Sequence, residues 1–125
     1  MERLSPQGSA FEVRGTEIDL GEADDSQQPQ AWQGPVSIKQ GDAPACAIEL
    51  NIIEAPLTLV AGRYLYMPTY SGSERQLHAV DIQACTLAWS SEVFFGTYQV
   101  EQDSLLIRGE ALHLGRDCLP EPASK

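Results

Sequence analysis

Long apolar runs are missing from this chain of 125 residues. A helix that crosses a bilayer needs roughly 18 consecutive apolar residues, and no stretch comes close, so no membrane span is expected. The opening stretch M-E-R-L-S-P-Q-G lacks the apolar segment of a secretory leader, so no signal peptide is expected at this end. Positive charge is scarce as well. Eight Lys and Arg stand against 18 Asp and Glu, for a net charge of −10. A surface of that sign repels phosphate backbones and anionic lipid, which argues against nucleic acid as a partner. It would speed encounter with a basic protein. It also serves simply to keep a small domain in solution.

Catalytic signatures are absent too. The chain holds no G-x-S-x-G, no Walker loop and no H-E-x-x-H. The two histidines, His78 and His113, fall on predicted strands, where a packed or surface role is the plain reading. A Cys85–His78 nucleophile pair is conceivable, but nothing in its spacing favours it. No enzyme activity is therefore expected. There are three cysteines and no C-x-x-C, so neither a zinc knuckle nor a thioredoxin motif is supported. One disulfide could be drawn in three ways among Cys46, Cys85 and Cys118. Three reduced core cysteines are the plain alternative. The acidic stretch E-I-D-L-G-E-A-D-D (Glu17–Asp25) could offer oxygens to Ca²⁺, yet it lacks the ligand order of an EF-hand. A solvated loop is the better reading, and neither a metal nor a cofactor is expected.

No segment sustains a 3.6-residue apolar period, so little helix is expected. Short alternating runs with turn residues between them predict one all-β domain over residues 1–125. Ala10 to Leu20 reads as a strand with a bulge at Gly15, and Gly21 to Gly34 as a long polar loop with at most one helical turn. Pro35 to Gln40 is a short strand. Cys46 to Glu54 reads as a single strand, with Cys46, Ile48, Leu50 and Ile52 on one face. Further strands are predicted at Arg63–Thr69, Gln76–Gln83, Leu87–Phe95, Thr97–Gln102 and Leu105–Leu114. Alternation puts Tyr64 and Tyr66 on one face. That pair could form an aromatic platform with Tyr70 and Trp89, although core packing is the simpler use of such rings.

The stretch from Ala55 to Glu92 runs A-P-L-T-L-V-A-G-R-Y-L-Y-M-P-T, a Gly-containing hairpin, L-H-A-V-D, then L-A-W. It resembles one blade of the quinoprotein-like β-propellers, with Ala79, Asp81 and Trp89 matching in type and spacing. The resemblance implies that Asp81 caps the tight turn after it and that Trp89 fills the wedge between blades. It implies nothing about chemistry. A blade takes ~40–45 residues and closed rings use four or more blades. This chain can hold at most three, so antiparallel sheets in an incomplete, open propeller are expected, with no central quinone. The turn Gly of that family falls on Cys85. A Cys where the backbone tends to φ > 0 implies a gain, and a disulfide from Cys85 to Cys46 or Cys118 is expected, which points to an oxidising compartment.

Ser90 and Ser91 follow Trp89 directly and precede F-F-G, where the chain must turn. A projecting serine pair between aromatic anchors has the shape of a plug for an enzyme groove. A small, acidic, all-β chain with a W-S-S loop resembles the periplasmic immunity proteins that neutralise peptidoglycan amidases of type VI secretion. The resemblance implies a periplasmic inhibitor of a secreted Cys–His amidase. Ser90 and Ser91 would reach the catalytic dyad, and Glu92, Phe94, Phe95 and Tyr98 would complete the contact. Two other readings remain open: a glycan- or peptide-binding module using the tyrosines, and an assembly scaffold with an open sheet edge.

Overall fold

The computed structural model describes residues 2–25, 27–101, 104–115 and 119–120. Among them every regular element is a strand. In chain order these are β1 (Glu2–Leu4), β2 (Ala10–Val13), β3 (Thr16–Asp19), β4 (Ala31–Trp32) and β5 (Val36–Gln40). Next come β6 (Cys46–Ile48), β7 (Ile53–Glu54), β8 (Leu57–Val60), β9 (Tyr64–Ser71) and β10 (Glu74–Asp81). The last five are β11 (Thr86–Ser90), β12 (Phe94–Phe95), β13 (Tyr98–Val100), β14 (Ser104–Ile107) and β15 (Glu110–His113). The expected all-β class holds. All pairings are antiparallel, in three sheets, and none of the sheets closes.

The first sheet is a four-stranded meander, β2-β3-β5-β6. The second carries β1-β8-β9-β10-β11 in order, with β12 on β10 and the short β4–β7 pair on β9. The third is β13-β14-β15. The second sheet lies in the middle. On β9, Leu65 and Met67 join the apolar cluster that holds Ile18 and Ile38 of the first sheet. Tyr64 and Tyr66 join the cluster that holds Val100 and Leu105 of the third. Strand alternation therefore sends successive side chains of β9 into two different cores. This is why Tyr64 to Met67 reads as one continuous apolar run: a sheet covered on both faces has no wet side to encode.

Several predicted strands are broken, each for a visible reason. Ala10 to Leu20 is a hairpin, not a bulged strand. Arg14 and Gly15 have φ of 50° and 80°, the pattern of a two-residue turn whose twist suits a hairpin. Leu105 to Leu114 is likewise the β14–β15 hairpin, turning at Arg108 and Gly109 with φ of 55° and 82°. Cys46 to Glu54 splits into β6 and β7, and the alternation flips: Ile52 is 40% exposed and Ile53 is fully buried. At that break Gly34 passes so close to the Leu50 carbonyl that a Cβ would overlap it. The Gly21–Gly34 loop forms no helical turn among its described residues. It is fastened by an isolated bridge between Ala23 and Trp32, and the fully buried Trp32 ring donates from Nε1 to the Gly8 carbonyl at 3.2 Å.

Candidate functional site

Asp81 ends β10 and organises the turn after it. Its Oδ1 accepts from the backbone N–H groups of Gln83 and Ala84, both at 3.0 Å. Its Oδ2 accepts from Arg63 Nη2 at 2.7 Å. Burial alone would raise this carboxyl, but the Arg63 guanidinium and the two turn N–H groups outweigh it and hold Asp81 below the usual carboxylate range. The capping role expected from the blade pattern is thus present. Cys85 closes the turn with φ of 54° and is disulfide-bonded to Cys46, their Cα atoms 6.6 Å apart. That choice settles one of the two pairings expected for Cys85; Cys118 lies outside the described residues. It also removes Cys85 as a thiol nucleophile for His78. The bond ties the last strand of the first sheet to the turn that launches β11.

Predicted as one strand, Leu87 to Phe95 is two. β11 pairs β10 from Asp81 back to His78, and β12 resumes on the same strand at Arg75 and Glu74. Ser91 to Val93 bulge out between them. Ser91 stitches the gap. Its backbone N–H donates to the Leu77 carbonyl at 2.8 Å, and its Oγ accepts from the Leu77 N–H at 3.0 Å. The side chain thus replaces a ladder carbonyl, and the freed Ser91 carbonyl accepts from Gln76 Nε2 at 2.8 Å. Arg75 secures the far side, donating to Glu54 Oε1 at 3.0 Å and to the Gly96 carbonyl at 3.3 Å.

The expected contact residues separate by depth. The serines do not project. Ser91 is buried, and Ser90 is half-buried with its Oγ 2.8 Å from His78 Nδ1. Phe94 is buried, and Tyr98 sits edge-on to it with ring centroids 6.4 Å apart. Burial pushes the Tyr98 hydroxyl up to about 12. Glu92 and Phe95 face solvent. Val93, which sequence reasoning passed over, is 53% exposed beside Phe95 at 54%. Its signal was available: in E-V-F-F an apolar residue falls out of step once the strand is interrupted. Of the four exposed large hydrophobic side chains among the described residues, Leu87, Val93 and Phe95 belong to this one segment. A groove of about 510 Å³ adjoins it, lined by Trp89, Ser90, Glu92 and Val93 together with Arg108 and Glu110.

Tyr64 and Tyr66 share a face as expected, but that face is the second core, where Tyr66 lies 6.5 Å from Trp89 between ring centroids. They offer no platform to a ligand. Trp89 packs against the same core, half-buried. Among the described residues no cluster of His, Cys, Asp and Glu could hold a metal ion, and no helix is long and apolar enough to cross a membrane. The site thus presents exposed apolar side chains on an all-β, disulfide-tied framework. Compared with known proteins, the chain matches no family model and no curated protein.

Proposed function

We propose that the chain is a protein inhibitor of the immunity kind, which blocks the groove of a secreted Cys–His peptidoglycan amidase in a type VI secretion system. The observation that carries this reading is the bulge at Ser91–Val93, which leaves Val93 exposed at a groove, with Phe95 exposed two residues on. Apolar side chains held on a rigid rim are typical anchors of a protein interface. Phe94 and Tyr98 would buttress the segment from below, while Val93, Phe95 and Glu92 meet the target. Inhibition would be steric, with no covalent step. The charge of −10 would steer the chain toward a basic groove rim. The Cys46–Cys85 bond suits the oxidising periplasm.

The same reading takes the fold as an open propeller of three blade-like meanders. Its support is a repeat in the sequence: V-R-G-T-E-I-D-L, V-A-G-R-Y-L-Y-M and I-R-G-E-A-L-H-L. Gly15, Gly62 and Gly109 recur at one constant interval, each in a hairpin turn with positive φ. That interval is close to the ~40–45 residues of a propeller blade.

The test mixes the purified chain with purified Cys–His peptidoglycan amidases of type VI secretion and follows peptide release from isolated cell wall. Stoichiometric loss of release is expected, and full release with the chain in excess would end the reading. A scaffold role has one observation of its own. The outer edge of β11 is unpaired among the described residues, and Thr86 to Ala88 on it are exposed and uncharged. Such an edge accepts a strand from another chain. A Leu87→Lys change should abolish that pairing and spare amidase inhibition.

A further inference from the structure

Ser90 ends a line of hydrogen bonds that runs from the groove into the central sheet. Its Oγ lies 2.8 Å from His78 Nδ1, and His78 Nε2 lies 2.9 Å from Thr69 Oγ1. Thr69 Oγ1 in turn donates to the Gln76 carbonyl at 3.4 Å. Thr69 and His78 are both buried. The line has a direction, because its inner end is a carbonyl and a carbonyl can only accept. With the Thr69 proton directed to Gln76, the Thr69 oxygen is left to accept from His78 Nε2–H. A neutral imidazole carries a single proton, so Nδ1 is bare and the Ser90 hydroxyl donates to it. Burial keeps the ring neutral by pulling the His78 pKa down to about 4. The arrangement therefore holds at neutral pH.

The consequence falls on the groove, which Ser90 lines. A serine has one proton and two lone pairs. Turned toward His78, that proton is lost to any partner, and only acceptor capacity is left on the outer side. We infer that Thr69 and His78 fix Ser90 as an acceptor, so that this point of the groove takes an N–H donor from the partner, such as an imidazolium, an ammonium or an amide. A carboxylate or carbonyl set against the same oxygen would be left unpaired, which is costly in a closed interface. The net charge of −10 favours a cationic donor in the same sense. This rests on the inhibitory reading and sharpens it, because it specifies the chemistry of the group that the segment meets. His78 and Thr69 act through Ser90 and are positioning residues.

Two measurements test it. In ¹⁵N-labelled protein at pH 7, long-range proton–nitrogen correlation should show His78 protonated on Nε2 and bare on Nδ1, with a His113→Gln variant used to assign the signals. A His78 ring protonated on Nδ1 would reverse the line and overturn the inference. This experiment needs no partner. The second compares amidase affinity of Thr69→Val and Thr69→Ser, each first shown to melt with the unaltered chain. Thr69→Val removes the acceptor for Nε2–H and should weaken binding about fivefold to tenfold, the scale of one net hydrogen bond. Thr69→Ser should restore it. Equal affinity for both would mean that the partner does not read the polarity of Ser90, and the inference falls. Absence of any amidase complex would end the inhibitory reading alone; the tautomer still decides the wiring.

Discussion

Two stretches, Cys46–Glu54 and Leu87–Phe95, look alike in the sequence and fold differently. Both are mainly apolar, and both read as single strands. Both break near the middle. In the first, the chain leaves the first sheet at Ile48 and enters the second at Ile53. Neighbouring backbone closes over that break: Gly34 packs on Leu50, and the Tyr70 N–H donates to the Ile52 carbonyl at 3.1 Å. In the second, β11 and β12 stay on one partner, β10. Among the described residues Val93 and Phe95 remain exposed there. A break that changes sheet is sealed by the sheets it joins. The break within one ladder buries Ser91 and leaves Glu92 and Val93 outside.

The disulfide joins the heads of the two stretches, so its loss should affect both. Replacing Cys46 and Cys85 with Ala should lower stability by about 2–5 kcal/mol, read as a fall in the urea midpoint. An unmoved midpoint would mean that the two stretches are held independently. Gly34→Ala attacks only the sealed break. With positive φ and a Cβ driven onto the Leu50 carbonyl, it should cost about 3 kcal/mol. A variant as stable as its parent would show that the backbone there has room to spare. Ser91→Ala attacks only the stitched break. It leaves the buried Leu77 N–H without its acceptor, at about 1–3 kcal/mol, and Ser90→Ala should cost less. The paired change Val93→Asp with Phe95→Asp should move stability by no more than about 0.5 kcal/mol while abolishing amidase binding in titration calorimetry. Binding that survives would detach the exposed segment from function.

The difference between the stretches was not legible in advance, and the reason is physical. Alternation records which side chains are buried, not which partner strand they lie against. Ile52 and Ile53 are both apolar, so a flip of face between them leaves no trace in the pattern. Asp81, by contrast, could be placed in advance, because the blade resemblance sets it just before a tight turn whose N–H groups can donate to a carboxylate. The hairpin turns were missed where Arg precedes Gly at 14–15 and 108–109, although Arg-Gly between apolar pairs carries the signal. Reading Gly15, Gly62 and Gly109 together would have found them. The depth of Ser90 and Ser91 was hidden for another reason. A hydroxyl that substitutes for a ladder carbonyl and one that faces water are the same letter. Only the position of Leu77 and His78 across the strand distinguishes them.

The central sheet has both faces covered and β9 has a partner along each side. The hydrogen exchange of the Leu65 and Met67 amides is therefore expected to track global unfolding. The segment from Ser91 to Phe95 hangs from β10, the neighbour of that strand. In the proposed complex its exposed side chains would therefore be held by a covered sheet, and docking them would forfeit little conformational freedom.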